Sequence, residues 1–192
     1  MMRLEYLSLK WRAIAWMVLG RNDRALAVFD RLLLRWPDDA YGLSSRGHLH
    51  AQAGRLEPAL ADNERWVQAA EDNPHAWFNR GFLLERLHRH EEALASFERA
   101  TELAPTFDRA WYGRGLMLIH LQRYDEAVTA FKRNTNLQPM GPYGWYQLAR
   151  VYVCLRNQDE AEKIIGHLKG FEPRVAAQLE RETGLLAGAP AP

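Results

Sequence analysis

A single cysteine, Cys154, leaves the chain without an internal disulfide or a cysteine-based zinc cage. A reducing cytoplasm is therefore the expected compartment. Long apolar runs are missing too. The stretch Ala13 to Leu19 follows Arg3, Lys10 and Arg12 in the manner of a short leader, but it falls well below the ~20 residues a spanning helix needs. Export to a periplasm, or anchoring through the N-terminus, is the alternative this stretch leaves open. Nor is there an excess of one charge: 25 Lys plus Arg face 24 Asp plus Glu, and the net +1 offers no overall attraction to nucleic acid or a membrane. Glycine-rich phosphate loops, nucleophile elbows and paired metal motifs are also absent, so no enzyme, cofactor or metal is expected.

The chain is rich in apolar material, 47% of its 192 residues, enough to bury a core and exclude a disordered chain. Charge is uneven along it: Met1 to Trp36 carries +4 and Pro37 to Asn73 carries −4. Self-similarity is the strongest signal. At a spacing of 34 residues, small residues recur at Ala13, Gly47, Gly81, Gly115 and Ala149, and alanine recurs at Ala25, Ala59, Ala93, Ala127 and Ala161. A large apolar column runs through Leu9, Leu43, Trp77, Trp111 and Trp145. A second bulky column, Phe29, Phe97, Phe131 and Ile165, is interrupted by Asn63. Prolines close units at Pro37, Pro105, Pro139 and Pro173, with Glu71 in place of one.

Each unit reads as two antiparallel helices: the small residues permit close approach and the bulky ones fill the space between units. Pro74 and Pro142 fit first-turn positions, and Asp23, Asp125 and Asp159 place negative charge where the helix dipole favours it. The run Trp77, Gly81, Ala93, Phe97, Ala100, Pro105 resembles the tetratricopeptide repeat signature, and Trp111, Gly115, Ala127, Phe131, Pro139 repeats it. The resemblance implies an all-α, right-handed superhelical solenoid of antiparallel helix pairs. In this frame one domain spans residues 1–186, with repeats at about 6–39, 40–73, 74–107, 108–141 and 142–175. A capping helix follows at 175–186, with Val175, Leu179, Glu182 and Leu186 on it, and a disordered tail at 187–192.

Candidate chemistry is sparse. His88 with His90, and His48 with His50, are two apart, whereas metal partners on one helix face stand three or four positions apart. The column Arg12, Arg46, Arg80, Arg114 has the spacing of a phosphate-tracking ladder, but its place inside each hairpin favours an internal polar ladder. The tryptophan column reads as core.

In a solenoid the first helices line the concave side. Positions two, five, six and nine of each unit should then face a ligand. They give His48 in the second unit and His75, Phe78, Asn79 and Phe82 in the third. The fourth supplies Arg109, Tyr112 and Leu116, beside Gly113, and the fifth Tyr143, Tyr146 and Arg150. Phe78 with Phe82, and Tyr112 with Leu116, form an apolar stripe, with Arg109 and Arg150 as flanking anchors. Family members that clamp acidic chaperone tails use a Lys and Asn set. The matching places here are Lys10, Ile14, Ser45, His75 and Asn79, so the clamp is incomplete. The expected function is a scaffold or adaptor holding a peptide or protein segment in its groove, with neither nucleic acid nor membrane as partner. The alternative is a self-assembling solenoid acting through its N-terminal repeat, the partner being a second copy. The Arg-rich, Lys-poor composition points to a bacterial source.

Overall fold

The computed structural model describes residues 2–185, and among them the regular structure is entirely α-helical. The helices are α1 (Met2–Val18), α2 (Asn22–Arg35), α3 (Ala40–Gln52), α4 (Leu56–Ala69), α5 (Pro74–Arg86) and α6 (His90–Leu103). They continue with α7 (Asp108–His120), α8 (Tyr124–Leu137), α9 (Pro142–Cys154), α10 (Gln158–Lys169) and α11 (Pro173–Thr183). The chain divides into two compact units between Arg89 and His90. In the first, α1 pairs with α2 and α3 with α4, and α5 packs on α4. In the second, α6 packs on α7, α7 pairs with α8 and α9 with α10, and α11 covers α9 and α10.

Helix ends follow the sequence. Pro74, Pro142 and Pro173 occupy the first turns of α5, α9 and α11, where a missing N–H breaks no helical bond. Asp39 and Asn157 accept backbone N–H donors at the starts of α3 and α10. Inside every hairpin the turn repeats one geometry. Residues 20, 54, 88, 122 and 156 all adopt a left-handed backbone, φ +58° to +74°. In each case the next N–H donates to the carbonyl five residues back, as in Arg55 to His50 (2.9 Å) and Arg123 to Leu118 (2.8 Å). This is the Schellman closure that satisfies the last carbonyls of a helix.

The repeated columns are the core. Ala25, Ala59, Ala93, Ala127 and Ala161 have no exposed surface, nor do Ala13 and Ala149. Phe29, Phe97, Phe131 and Ile165 are sealed, each contributing about 1.5–3 kcal/mol through burial. The tryptophan column departs from the core expectation: Trp77, Trp111 and Trp145 are only half-buried. Each indole N–H instead donates to the carbonyl six residues back, on Glu71 (2.8 Å), Pro105 (3.0 Å) and Pro139 (2.8 Å). The ring therefore closes the loop before its own helix. The capping helix starts two residues earlier than the expected Val175 and ends at Thr183, where Gly184 turns left-handed. Ala176 and Leu179 are its buried residues; Leu186 and the tail 187–192 lie outside the described residues.

Candidate functional site

In the first unit, α3 and α5 flank a hollow floored by α4, with a volume of about 120 Å³. Leu43, Ala51, Ala59 and Leu83 give it apolar walls, Trp66 and Asn63 close its base, and His48, Asn79 and Phe82 stand at it. Three of the expected groove residues thus meet in one place. Phe82 is 45% exposed, a large apolar surface left in water. Asn63 is 96% buried (4% exposed), and its Oδ1 has no hydrogen-bond partner. Such an orphaned acceptor costs about 1–3 kcal/mol. His75 is exposed at the start of α5, where its N–H donates to Asn73 Oδ1 (2.9 Å), and Phe78 is half-buried; neither lines the hollow.

A wider hollow of about 520 Å³ opens in the second unit between α7, the end of α8 and the start of α9. Arg109, Tyr112 and Tyr143 line it together with Asn134, Gly141 and Gly144. Tyr143 is 74% exposed, whereas the Tyr112 ring packs edge-on against Phe131 with centroids 5.8 Å apart. The floor is pinned by Asn134, whose Nδ2 donates to the Asp108 carbonyl (2.9 Å). Gly144 is required here, because a Cβ would come within 2.1 Å of the Asn134 carboxamide oxygen. Leu116 is half-buried and outside this hollow. Gly113, read as groove-facing, is instead a buried seat for the Phe97 ring, which would lie 2.7 Å from an added Cβ.

Tyr146 and Arg150 form a separate cluster with the last helix. The Arg150 guanidinium sits 5.6 Å from the Tyr146 ring centre, and the Tyr146 hydroxyl donates to Glu182 Oε2 (2.6 Å). That hydrogen bond pushes the phenol up from its ordinary pKa and holds the Glu182 carboxyl below the usual carboxylate range.

The family model for the tetratricopeptide repeat matches residues 12–74, 59–107 and 78–134, together more than half of the chain. The chain belongs to the tetratricopeptide repeat family. No curated protein matches it. Among solved structures, a tetratricopeptide repeat protein from Parabacteroides merdae ATCC 43184 aligns with a TM-score of 0.83 at 23% identity, over 94% of this chain and 74% of that one. A MamA protein aligns at 0.80 and 18% identity, over 98% of each chain. YrrB, described as a TPR protein with an unusual peptide-binding site, aligns at 0.79 and 22% identity over 88% of each. These likenesses carry the fold.

Within the tetratricopeptide repeat frame the arginine column turns inward. Arg46 donates from Nε to Asp62 Oδ2 (2.8 Å) and from Nη1 to Asp30 Oδ1 (2.7 Å). Arg80 pairs with Glu64 (3.6 Å) and Arg114 with Glu98 (3.3 Å). In each of these repeats an acidic partner stands sixteen residues earlier, on the second helix of the preceding repeat; Asp62, sixteen residues after Arg46, adds a second partner from its own repeat. Arg12 is exposed. The described residues contain no group of three or more His, Cys, Asp or Glu placed to hold a metal, and no helix among them is long and apolar enough to cross a membrane.

The residues that the repeat frame missed are Asn134, Gly141 and Gly144. Asn134 sits on α8 and Gly141 in the loop before α9, while Gly144 is on a first helix but at its third position, which the frame does not read. The pair of glycines around Pro142 and Tyr143 was the available signal. Asn63 was visible as a broken column, but its role as a hollow floor was not.

Proposed function

We propose that the chain is a non-enzymatic interaction scaffold that holds a segment of another protein against the first-helix faces of its repeats. The observation that carries this reading is that both hollows bring expected groove side chains together: His48, Asn79 and Phe82 in one unit, Arg109, Tyr112 and Tyr143 in the other. Exposed aromatic surface beside neutral hydrogen-bonding groups and one arginine suits a polypeptide, whose backbone and mixed side chains need both. YrrB's peptide-binding site supports the same class of ligand on the same fold. His75, Phe78, Leu116, Tyr146 and Arg150 extend the proposed surfaces, with Tyr146 and Arg150 already engaged by α11. A bacterial, cytoplasmic setting, with neither nucleic acid nor membrane as partner, belongs to the same proposal.

The test compares affinity capture by the wild type with capture by a Phe82→Ala, Arg109→Ala, Tyr143→Ala variant of equal helicity by circular dichroism. Partners retained by the wild type and lost by the variant are the expected outcome. An unchanged partner set overturns the groove reading.

A second reading, self-assembly through the N-terminal repeat, is favoured by one observation. Leu4 (73% exposed), Leu7 (38%), Trp11 (66%) and Val18 (81%), with Ile14 between them, follow a three-four spacing along α1. A helix that leaves such a seam in water has a face suited to a second copy.

A further inference from the structure

We propose that the outward face of α1 is an unfilled repeat junction that takes an amphipathic helix of another protein, seated as the second helix of a preceding repeat and carrying a carboxylate for Arg12. This face is separate from the groove, and the inference stands apart from the groove reading. The junctions α2 on α3, α4 on α5, α6 on α7 and α8 on α9 set the template. At each of them two columns of the first helix are buried. One holds Gly42, Ala76, Ala110 and Gly144; the other holds Leu49, Leu83, Met117 and Val151, none more than 5% exposed. In those columns α1 has Ser8 and Ala15, and both are exposed, as is Arg12 between them. The face that every later junction covers is bare on α1 among the described residues.

The same junctions specify the occupant. Where the first helix carries arginine, the helix before it supplies a carboxylate: Asp30 to Arg46 (2.7 Å), Glu64 to Arg80 (3.6 Å) and Glu98 to Arg114 (3.3 Å). Arg12 stands in that column and forms no ion pair among the described residues. Two and three residues after each carboxylate come buried side chains, Leu32 with Leu33, Trp66 with Val67, and Ala100 with Thr101. Leu32 and Leu33 would lie 2.8 and 3.0 Å from a Cβ on Gly42, so this pair seats on the column that α1 fills with Ser8. The fitting helix therefore has an acid followed at the second and third places by apolar or small residues. Leu4 (73% exposed) and Trp11 (66%) lie within four positions of Ser8 and give it apolar surface to bury. A second copy fits poorly: its α2, α4 and α6 already bury that stripe, and Glu5, the one carboxylate on α1, is held by Arg35 (3.1 Å).

The experiment is an NMR titration of the full chain with a synthetic peptide of the α4 sequence, residues 56–69, which offers Glu64, Trp66 and Val67. The Ala15 methyl and Arg12 Nε–H signals are expected to shift saturably, while the Ala76 methyl, already covered, stays in place. Arg12→Glu alters an exposed position, so it should keep the melting temperature and weaken the peptide about fivefold. A peptide with Glu64→Arg should recover that loss on Arg12→Glu and bind the wild type more weakly. No saturable shift at Ala15 overturns the proposal, as does equal binding of the two peptides to the wild type, which would be apolar adhesion alone. A shift at Ala76 would mean displacement of α4, and a shift of Ala15 on concentrating the chain by itself would make the occupant a second copy; either result overturns it too. The Phe82→Ala, Arg109→Ala, Tyr143→Ala variant leaves α1 intact and should bind the peptide as the wild type does. Loss of the peptide by that variant would place it in the groove and overturn the α1 site, leaving the scaffold reading standing.

Discussion

At the scale of single residues, side chains that look equivalent in the repeat do different work. Trp77, Trp111 and Trp145 are conspicuous apolar residues, yet each is held by a polar contact to a loop carbonyl. Because the acceptor is backbone, Glu71 serves as well as Pro105 or Pro139, and its departure from the proline column costs nothing in this contact. Tyr6 shows the opposite case, a residue outside every column that ties two helices together. Its hydroxyl donates to Asp39 Oδ2 (2.9 Å), and Asp39 Oδ1 also accepts the Gly42 N–H at the start of α3 (2.6 Å). Burial first, then the bond to Asp39, push the phenol up to about 12. The folded state therefore keeps this proton more tightly than the unfolded chain, where the phenol titrates near ~10. Stability from Tyr6 is fully present below pH ~10 and is lost as pH rises toward 12. Tyr6→Phe should lower stability at neutral pH by about 1 kcal/mol, and the gap to wild type should close over pH 10–12. Urea titrations at pH 8, 10 and 11.5 check this; a constant gap would sink it.

At the scale of elements, the hairpin turn is the most regular feature. Gly20 and Gly54 hold the left-handed position in the first two hairpins, where the absence of Cβ removes the steric cost. His88, Gln122 and Arg156 adopt the same conformation with a side chain attached, at φ +58° to +59°. A non-glycine residue there carries ~1–2 kcal/mol of strain, partly offset by the smaller entropy it loses on folding. Gln122→Gly is therefore expected to stabilise the second unit by about 0.5–1 kcal/mol. The readout is a higher denaturant midpoint at unchanged slope; a midpoint at or below wild type would show that the turn is not strained. The companion change Gly54→Ala should move the midpoint the other way.

At the scale of the whole molecule, the formal charges nearly balance, and Arg46, Arg80 and Arg114 are each paired with carboxylates. The α1 seam is the feature left unused by the fold as described. If it joins two copies, sedimentation should show mass rising with concentration. Leu4→Glu with Trp11→Glu should return the chain to a monomer while leaving Ala13 and Phe29 in their core. A wild type that stays monomeric at high concentration would remove self-assembly and leave the scaffold reading alone.

The sequence by itself determined the family, the helical-hairpin architecture and the buried columns. The reason is physical: one period governs every close approach, so Ala25, Gly47 or Phe131 announces its burial by recurring. It also placed Arg46, Arg80 and Arg114 inside, since a guanidinium at that point of a hairpin needs carboxylates from adjacent helices, whereas Arg12 of the same column is exposed. Which first-helix side chains share a hollow was decided only by tertiary structure. Hollow volume depends on how sizes compensate across helices, as Asn63 against Asn79 and Phe97 against Gly113 do, and no single column records that sum. Tyr146 and Arg150 were legible as first-helix residues, but their engagement with Glu182 required α11 to fold back over α9. Period is a local property repeated along the chain, whereas a void is a property of three helices at once.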